Sequence, residues 1–194
     1  MTQIIVDNAA AISLDRDLTV AQTQSQSRQL KWFRKGPIQT IAEVQMNVVR
    51  RDTYQQVLAS LSADILGPYT LTFPEEVVGS RITTQVRPSA ANQSGNALLV
   101  SGPASTTPIR AGSVIQFPNH TETYIALEDV VLGGTGTGSL RLDQPLFQSP
   151  AMDEDIRVGS DVQYAMHLIN RPRASFGPTG LVNHDGPFLF AEAF

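Results

Sequence analysis

The sequence predicts a mainly β fold with one short helix, in which an outer β domain is interrupted by an inserted small β-barrel or sandwich. Three observations carry this expectation. Apolar and polar residues alternate in Ala42-Glu43-Val44-Gln45-Met46 and again in Val162-Gln163-Tyr164-Ala165-Met166, the pattern of strands with one buried face. Tyr54, Val57, Leu58, Leu61 and Ile65 fall instead at helical spacing and make one apolar stripe. Between these regions, Glu75–Gln148 is rich in Gly, Pro, Ser and Thr and carries short strand-like runs at regular spacing, as small barrels and sandwiches do.

Taken in order, Ile4-Ile5-Val6 reads as a short first strand, or as an arm that pairs with a neighbouring subunit. Arg16–Lys35 is strongly polar and lacks helical periodicity. It is expected to form an extended hairpin with Ser25–Ser27 near the turn. Within it Trp32 is expected to anchor the core, beside Phe33, with Arg28, Lys31, Arg34 and Lys35 on a solvated or intersubunit face. Aromatics flanked by cations also suit single-stranded nucleic acid, but no second basic cluster builds a groove for it. Ile38–Val48 follows as a strand with Ala42, Val44, Met46 and Val48 on one face. Asp52 is placed to cap a helix over Thr53–Ile65, with Gln55 completing a capping box. Gly67-Pro68 stops that helix, and Tyr69–Phe73 resumes period two. A lone helix of this kind closes one face or end of a sheet.

In the middle segment the strand candidates are Arg81–Arg87, Ala97–Val100, Ser113–Phe117, Thr123–Leu127 and Ser139–Leu142, with turns at Ala111-Gly112 and Pro118-Asn119-His120. Gly133–Gly138 invites comparison with a phosphate-binding loop. No Lys-Ser/Thr follows it and no helical pattern succeeds it, so it reads as a hairpin tip. Asp161–Asn170 is a strand, Arg171–Gly180 a turn, and Phe188–Phe194 a terminal strand paired inside a sheet, because loose ends seldom carry so much apolar area. The outer domain therefore comprises residues 1–74 and 149–194 and the insert residues 75–148, with Tyr69–Phe73 and Asp161–Asn170 as neighbouring strands.

A chain of 194 residues can bury a proper core. Charged residues make up 16%, well below the usual share, which suits a chain that hides much of its surface in an assembly. A net charge of −4 gives no basic field for phosphate. The absence of cysteine excludes disulfides, thiolate zinc sites and cysteine nucleophiles. No apolar run reaches membrane-spanning length and the polar start MTQIIVDN is no signal peptide, so a soluble product made in the cytoplasm is expected.

Residues with the means to do chemistry are scattered. His120 and Glu122 would supply two metal donors where a site needs three or four. His167 shares a strand face with Gln163 and is expected to be a hydrogen-bonded surface or interface residue; His184 stands apart from both. Asp153-Glu154-Asp155 lacks the spacing and the glycine of a calcium loop and reads as a solvated charge run. Glu75, Glu76, Glu122, Glu128 and Asp129 are carboxylates that would have to meet in space to cleave a glycoside, and nothing around them marks a pair. Neither Ser80 nor Ser105 sits in a nucleophile elbow. The expectation is no catalytic, cofactor-binding or metal residues, and no enzyme.

The order of features has a counterpart. A Gln-bearing N-terminal segment leads to an aromatic, then to TIAEVQMNV, the helix YQQVLASL and YTLTFP. A Gly-rich insertion with IRAGSVIQF, TYIAL and SLRLDQPL follows, and VQYAMHLINRPRASF and FLFAEAF close the chain. From about Ile12 to Phe194 this resembles the distal tail protein family of tailed bacteriophages and the related baseplate-hub and tail-tube adaptor proteins. The resemblance implies a β-sandwich ring domain packed by a helix, forming a homo-hexamer that joins the tail tube to the baseplate hub or central spike protein. Ile38–Val48, Thr53–Ile65, Tyr69–Phe73, Asp161–Asn170 and Phe188–Phe194 would build the ring. The insert would project outward toward wedge or fibre proteins. DNA would be only passing cargo in the lumen, and localisation would be the virion tail. The alternative is a host-receptor or glycan-binding β module of the tail, for which Phe117, Tyr124 and Phe147 are the aromatics available in the insert.

Overall fold

The computed structural model describes residues 3–17, 20–24, 30–34, 38–62, 68–152 and 154–193, the two strands 20–24 and 30–34 by their backbone pairing. The protein is mainly β and its paired strands run antiparallel throughout. The principal sheet orders its strands Ala9–Asp17, Gln39–Met46, Phe188–Glu192, Tyr164–Asn170 and Tyr69–Leu71. The C-terminal strand is therefore paired inside the sheet, as its apolar area predicts, and lies at its centre. Tyr69–Leu71 does neighbour Tyr164–Asn170, with Tyr164 opposite Leu71.

One face of this sheet is buried. Ala42, Val44, Met46, Leu71, Tyr164, Met166, Phe188 and Phe190 form a single apolar cluster with Tyr54, Val57 and Leu61 of the helix Arg51–Ser62. The predicted helix thus closes one face of the sheet, although it starts two residues earlier than expected. Asp52 is its second residue rather than its cap. Ile65 and Gly67 lie outside the described residues. Val48 falls beyond the end of its strand and is 54% exposed, not inward.

Three further expectations are corrected. Ile4-Ile5-Val6 is neither a strand nor an arm: Gln3–Asp7 is a short helix with Ile5 and Val6 both in the core. A strand would send consecutive residues to opposite faces, whereas a helical turn seats both inward. The Gln3 side chain pins the turn by donating to the Thr72 carbonyl and accepting from the Thr72 amide. Arg171–Gly180 is not one turn. Arg173–Phe176 and Leu181–Asp185 are paired strands joined by a tight turn in which the Gly177 amide bonds to Leu181 O. They form a small sheet with Val49–Arg50, which covers part of the same core through Val49 and Val182. Arg81–Arg87 is not a strand either. Only Arg87–Pro88 pairs, and the preceding residues pack Ile82 and Val86 on the core as irregular chain.

The middle segment has its own apolar cluster, from Val86 through Leu98, Ile115, Phe117, Tyr124 and Leu140 to Ile156 and Val158. Its two small sheets order Arg87–Pro88, Ala97–Ser101 and Thr137–Arg141, and Tyr124–Ile125, Val114–Gln116 and Arg157–Val158. The cluster extends beyond Gln148, while Glu75–Val78 is a short helix whose Val78 packs in the first core. The chain leaves and returns at one point. Gly159 has φ +59, where glycine is at home, and a side chain there would run into the Gly79 carbonyl. Gly133–Gly136 is a turn leading into the strand Thr137–Arg141, with no helix after it.

Residues Val20–Gln24 pair with Leu30–Arg34, so the extended hairpin is present as a two-stranded sheet of its own. Its turn at Ser25–Ser27, Arg28, Lys35, and the side chains of Lys31, Trp32, Phe33 and Arg34 lie outside the described residues.

Candidate functional site

Buried polar side chains gather where the second core meets the first sheet, among them Thr40, Thr123, Gln144 and Glu192. Three neighbouring strands carry apolar residues inward and then end that series on a polar one. Ile12 and Leu14 are followed by Arg16, Met46, Val44 and Ala42 by Thr40, and Phe188 and Phe190 by Glu192. Arg16 is opposite Thr40, and Thr40 lies beside Glu192 across the next ladder. The result is a polar row at one end of an otherwise apolar face, and the middle segment sits on it.

Glu192 is 1% exposed. One carboxylate oxygen accepts the Thr40 amide at 3.0 Å and the other the Thr123 amide at 2.8 Å, so the side chain joins a main-sheet strand to the insert. The Thr40 and Thr123 hydroxyls lie 3.2 Å apart. Gln144 reinforces the join: its carbonyl accepts the Ile38 amide at 3.0 Å and its amide donates to Thr123 O at 3.0 Å. Arg16 donates to the same Thr123 carbonyl at 3.2 Å and pairs with Asp143 at 3.1 Å, while Asp143 accepts the Ile125 amide at 2.9 Å. Burial pushes the Glu192 carboxyl above its ordinary range, opposed by the hydrogen bonds from Thr40 and Thr123. Burial likewise raises the nearby Tyr164 hydroxyl, and the Glu192 charge adds to it.

A second join lies beside it. The buried Gln116 side chain donates to Gln163 O at 2.7 Å and accepts from the Gln163 amide at 3.0 Å, imitating a strand partner. Arg157 donates to the Gln163 side chain at 3.0 Å.

The residues singled out from sequence are dispersed. His120 is buried in the turn expected at Pro118-Asn119-His120, with Nδ1 2.9 Å from the Tyr124 hydroxyl. Burial lowers its pKa, partly offset by the Glu122 carboxylate. His167 is exposed on the same side of its strand as Gln163. His184 is buried against Tyr54 and Phe188. Glu75 and Glu76 are exposed on their short helix, Glu128 meets Arg141 at 3.4 Å, and Asp129 accepts the Ala111 amide. In the acidic run, Asp155 pairs with Arg87 at 2.6 Å, Glu154 is exposed, and Asp153 lies outside the described residues. Among the described residues no group of His, Asp and Glu is arranged to hold a metal.

The aromatic platform for a glycan does not form. Phe117 and Tyr124 are fully buried, stacked edge-on at 5.6 Å, and Phe147 alone of the three is exposed. Apolar stacking of a sugar needs faces open to solvent, and these two faces are core.

The signal for the polar row was present in the alternation. An Arg and a Glu continue the inward phase of apolar strands at Arg16 and Glu192, a placement that demands a buried partner. The partners Thr123, Asp143 and Gln144 come from a distant segment and carry no local mark.

Chemically, the row holds a carboxylate with both oxygens occupied by backbone amides and a guanidinium whose Nη2 is committed to Asp143 and a carbonyl, while its Nε and Nη1 are buried without a partner among the described residues. Such a group fixes geometry. A groove of about 460 Å³ lies elsewhere, along the edge strand, lined by Val6, Ala9, Ile12, Phe73 and Val77, with Asp7 as its ionisable group. Among the described residues no helix is long and apolar enough to cross a membrane. The chain matches no protein-family model, and no curated protein was found to be similar to it.

Proposed function

We propose that this protein is a structural component of a bacteriophage tail, a ring-forming adaptor that closes on copies of itself at the distal end of the tail tube. Its main sheet and helix form the ring body. The second core is the outward platform for other baseplate or fibre proteins. The reading involves no reaction step and no cofactor, and its place of action is the virion.

The observation that carries it is the hairpin Val20–Arg34. Among the described residues it is a two-stranded sheet separate from the others, and two strands by themselves are marginal in water. Residues 18–37 contain four of the chain's fourteen cations and none of its eighteen acids. A basic hairpin on an acidic molecule is suited to be completed by the body of a second, identical copy. The principal sheet ends in the strands Ala9–Asp17 and Tyr69–Leu71, and marginal strands suit head-to-tail contacts between copies. The order of elements that resembles the distal tail protein family supports the same reading.

Native mass measurement over a range of concentrations tests it, followed by particle images after mixing with a tail-tube protein. A closed hexamer that caps tubes is the expected result. A chain that stays monomeric at high concentration and ignores tubes overturns it. Lys31→Glu combined with Arg34→Glu is expected to abolish the ring while leaving the monomer folded.

A further inference from the structure

His184 occupies a position that suits only its neutral form. It lies on the strand Leu181–Asp185, opposite Ala174 of Arg173–Phe176, and is 4% exposed. Its ring is 5.6 Å from that of Tyr54 on the helix Arg51–Ser62 and 5.4 Å from that of Phe188 on the central strand. Neither ring nitrogen has a hydrogen-bond partner among the described residues. The charged and titratable groups that face it are Tyr54 from the helix and Arg171 from the segment before the hairpin, and Arg171 donates to the Tyr54 hydroxyl at 2.9 Å. The central strand presents Phe188 and the paired strand Ala174, both apolar. Asp185, the next residue, is exposed and alternates to the outer face. A proton on His184 would add a second donor and a positive charge where no acceptor or carboxylate waits and a guanidinium already stands.

The element that carries His184 is held to the body by few bonds. Two residue pairs join it to Val49–Arg50, and the Arg51 amide donates to Gly180 O at 3.1 Å. Phe176 meets Tyr54 edge-on at 5.6 Å yet remains 61% exposed. A unit tied by so few backbone bonds, with Val182 as its one fully buried apolar side chain, opens at lower cost than the principal sheet.

We propose that the hairpin Arg173–Asp185 is an acid-released flap, lifted from the helix Arg51–Ser62 when His184 takes up a proton, while the principal sheet and the second core stay folded. Opening gives the imidazolium water to bond and distance from Arg171. It also uncovers Tyr54 and Phe188 and withdraws Val182 from the first core. The device is independent of the ring reading, because it needs only one copy of the chain.

Backbone hydrogen exchange of the full chain at pH 7.5 and pH 5.0, corrected for intrinsic rates, tests this. Peptides covering residues 173–185 are expected to lose protection at the lower pH, by up to about tenfold per pH unit below roughly 6.5, while residues 39–46 keep theirs. In His184→Phe the pH-dependent loss is expected to vanish. Equal protection of the hairpin at both pH values overturns the proposal, as does a loss that persists in His184→Phe or one shared with residues 39–46. Should that variant fail to fold, an imidazole NMR titration of the unaltered chain decides. Protonation of His184 that coincides with hairpin deprotection supports the flap, and protonation with the hairpin still protected overturns it.

Discussion

Glu192 fixes the insert because a carboxylate offers two acceptors on a short stem and two backbone amides, Thr40 and Thr123, converge on it. Glu192→Gln keeps one acceptor and turns an NH2 toward an N–H. A buried donor left facing a donor costs about 2–4 kcal/mol, to be read as a lower urea midpoint. The protonation behaviour of this residue and of the buried histidines has opposite signs. Glu192 has a folded pKa raised above its ordinary 4.5. The folded state then binds the extra proton in that window, and this group's contribution falls as pH rises through it. His120 and His184 are depressed below 6.5, so theirs is complete above that value and is lost as pH falls toward the folded values. Urea midpoints are expected to drop between pH 7 and pH 5, and His184→Phe is expected to flatten the decline. A decline in His184→Phe as steep as in the unaltered chain would contradict the histidine sign, since Glu192 acts in both. At Gly159 a side chain meets both left-handed backbone and the Gly79 carbonyl. Gly159→Ala is therefore expected to cost about 2 kcal/mol or more, seen by thermal or urea unfolding.

Among the elements, the helix Arg51–Ser62 was the most legible, because its stripe of Tyr54, Val57 and Leu61 repeats at 3.6 and buries one face. Leu61 is 6% exposed and Leu58 only partly buried. Leu61→Ala should then cost about 2–4 kcal/mol and Leu58→Ala distinctly less, a contrast that equilibrium denaturation measures directly. The helix Gln3–Asp7 was not legible. Ile4, Ile5 and Val6 favour strand locally, and their helical form depends on the Gln3 bonds to Thr72, far along the chain. Arg173–Phe176 was hidden for a related reason. It is a mostly exposed strand and so lacks the alternation that marks half-buried ones.

Across the whole molecule, charge is divided between a basic hairpin and an acidic remainder with ten cations against eighteen acids. If copies meet through that division, the ring is expected to loosen as salt rises, since exposed charges are screened beyond roughly 8–10 Å at physiological ionic strength. Light scattering between low and high salt would read it, and a salt-insensitive ring would place the contact on apolar surface instead. The strand alternation, the helix Arg51–Ser62, the paired terminal strand and the change of character through the middle segment are legible along the chain, because each is written in periodicity and turn chemistry within a few residues. That Arg16, Thr40 and Glu192 form a row, that Thr123, Asp143 and Gln144 meet it, and that Phe117 and Tyr124 are core rather than surface follows from the folded arrangement alone. Those outcomes rest on pairs far apart in the chain, and a polar residue at an inward position specifies that it needs a partner without specifying which.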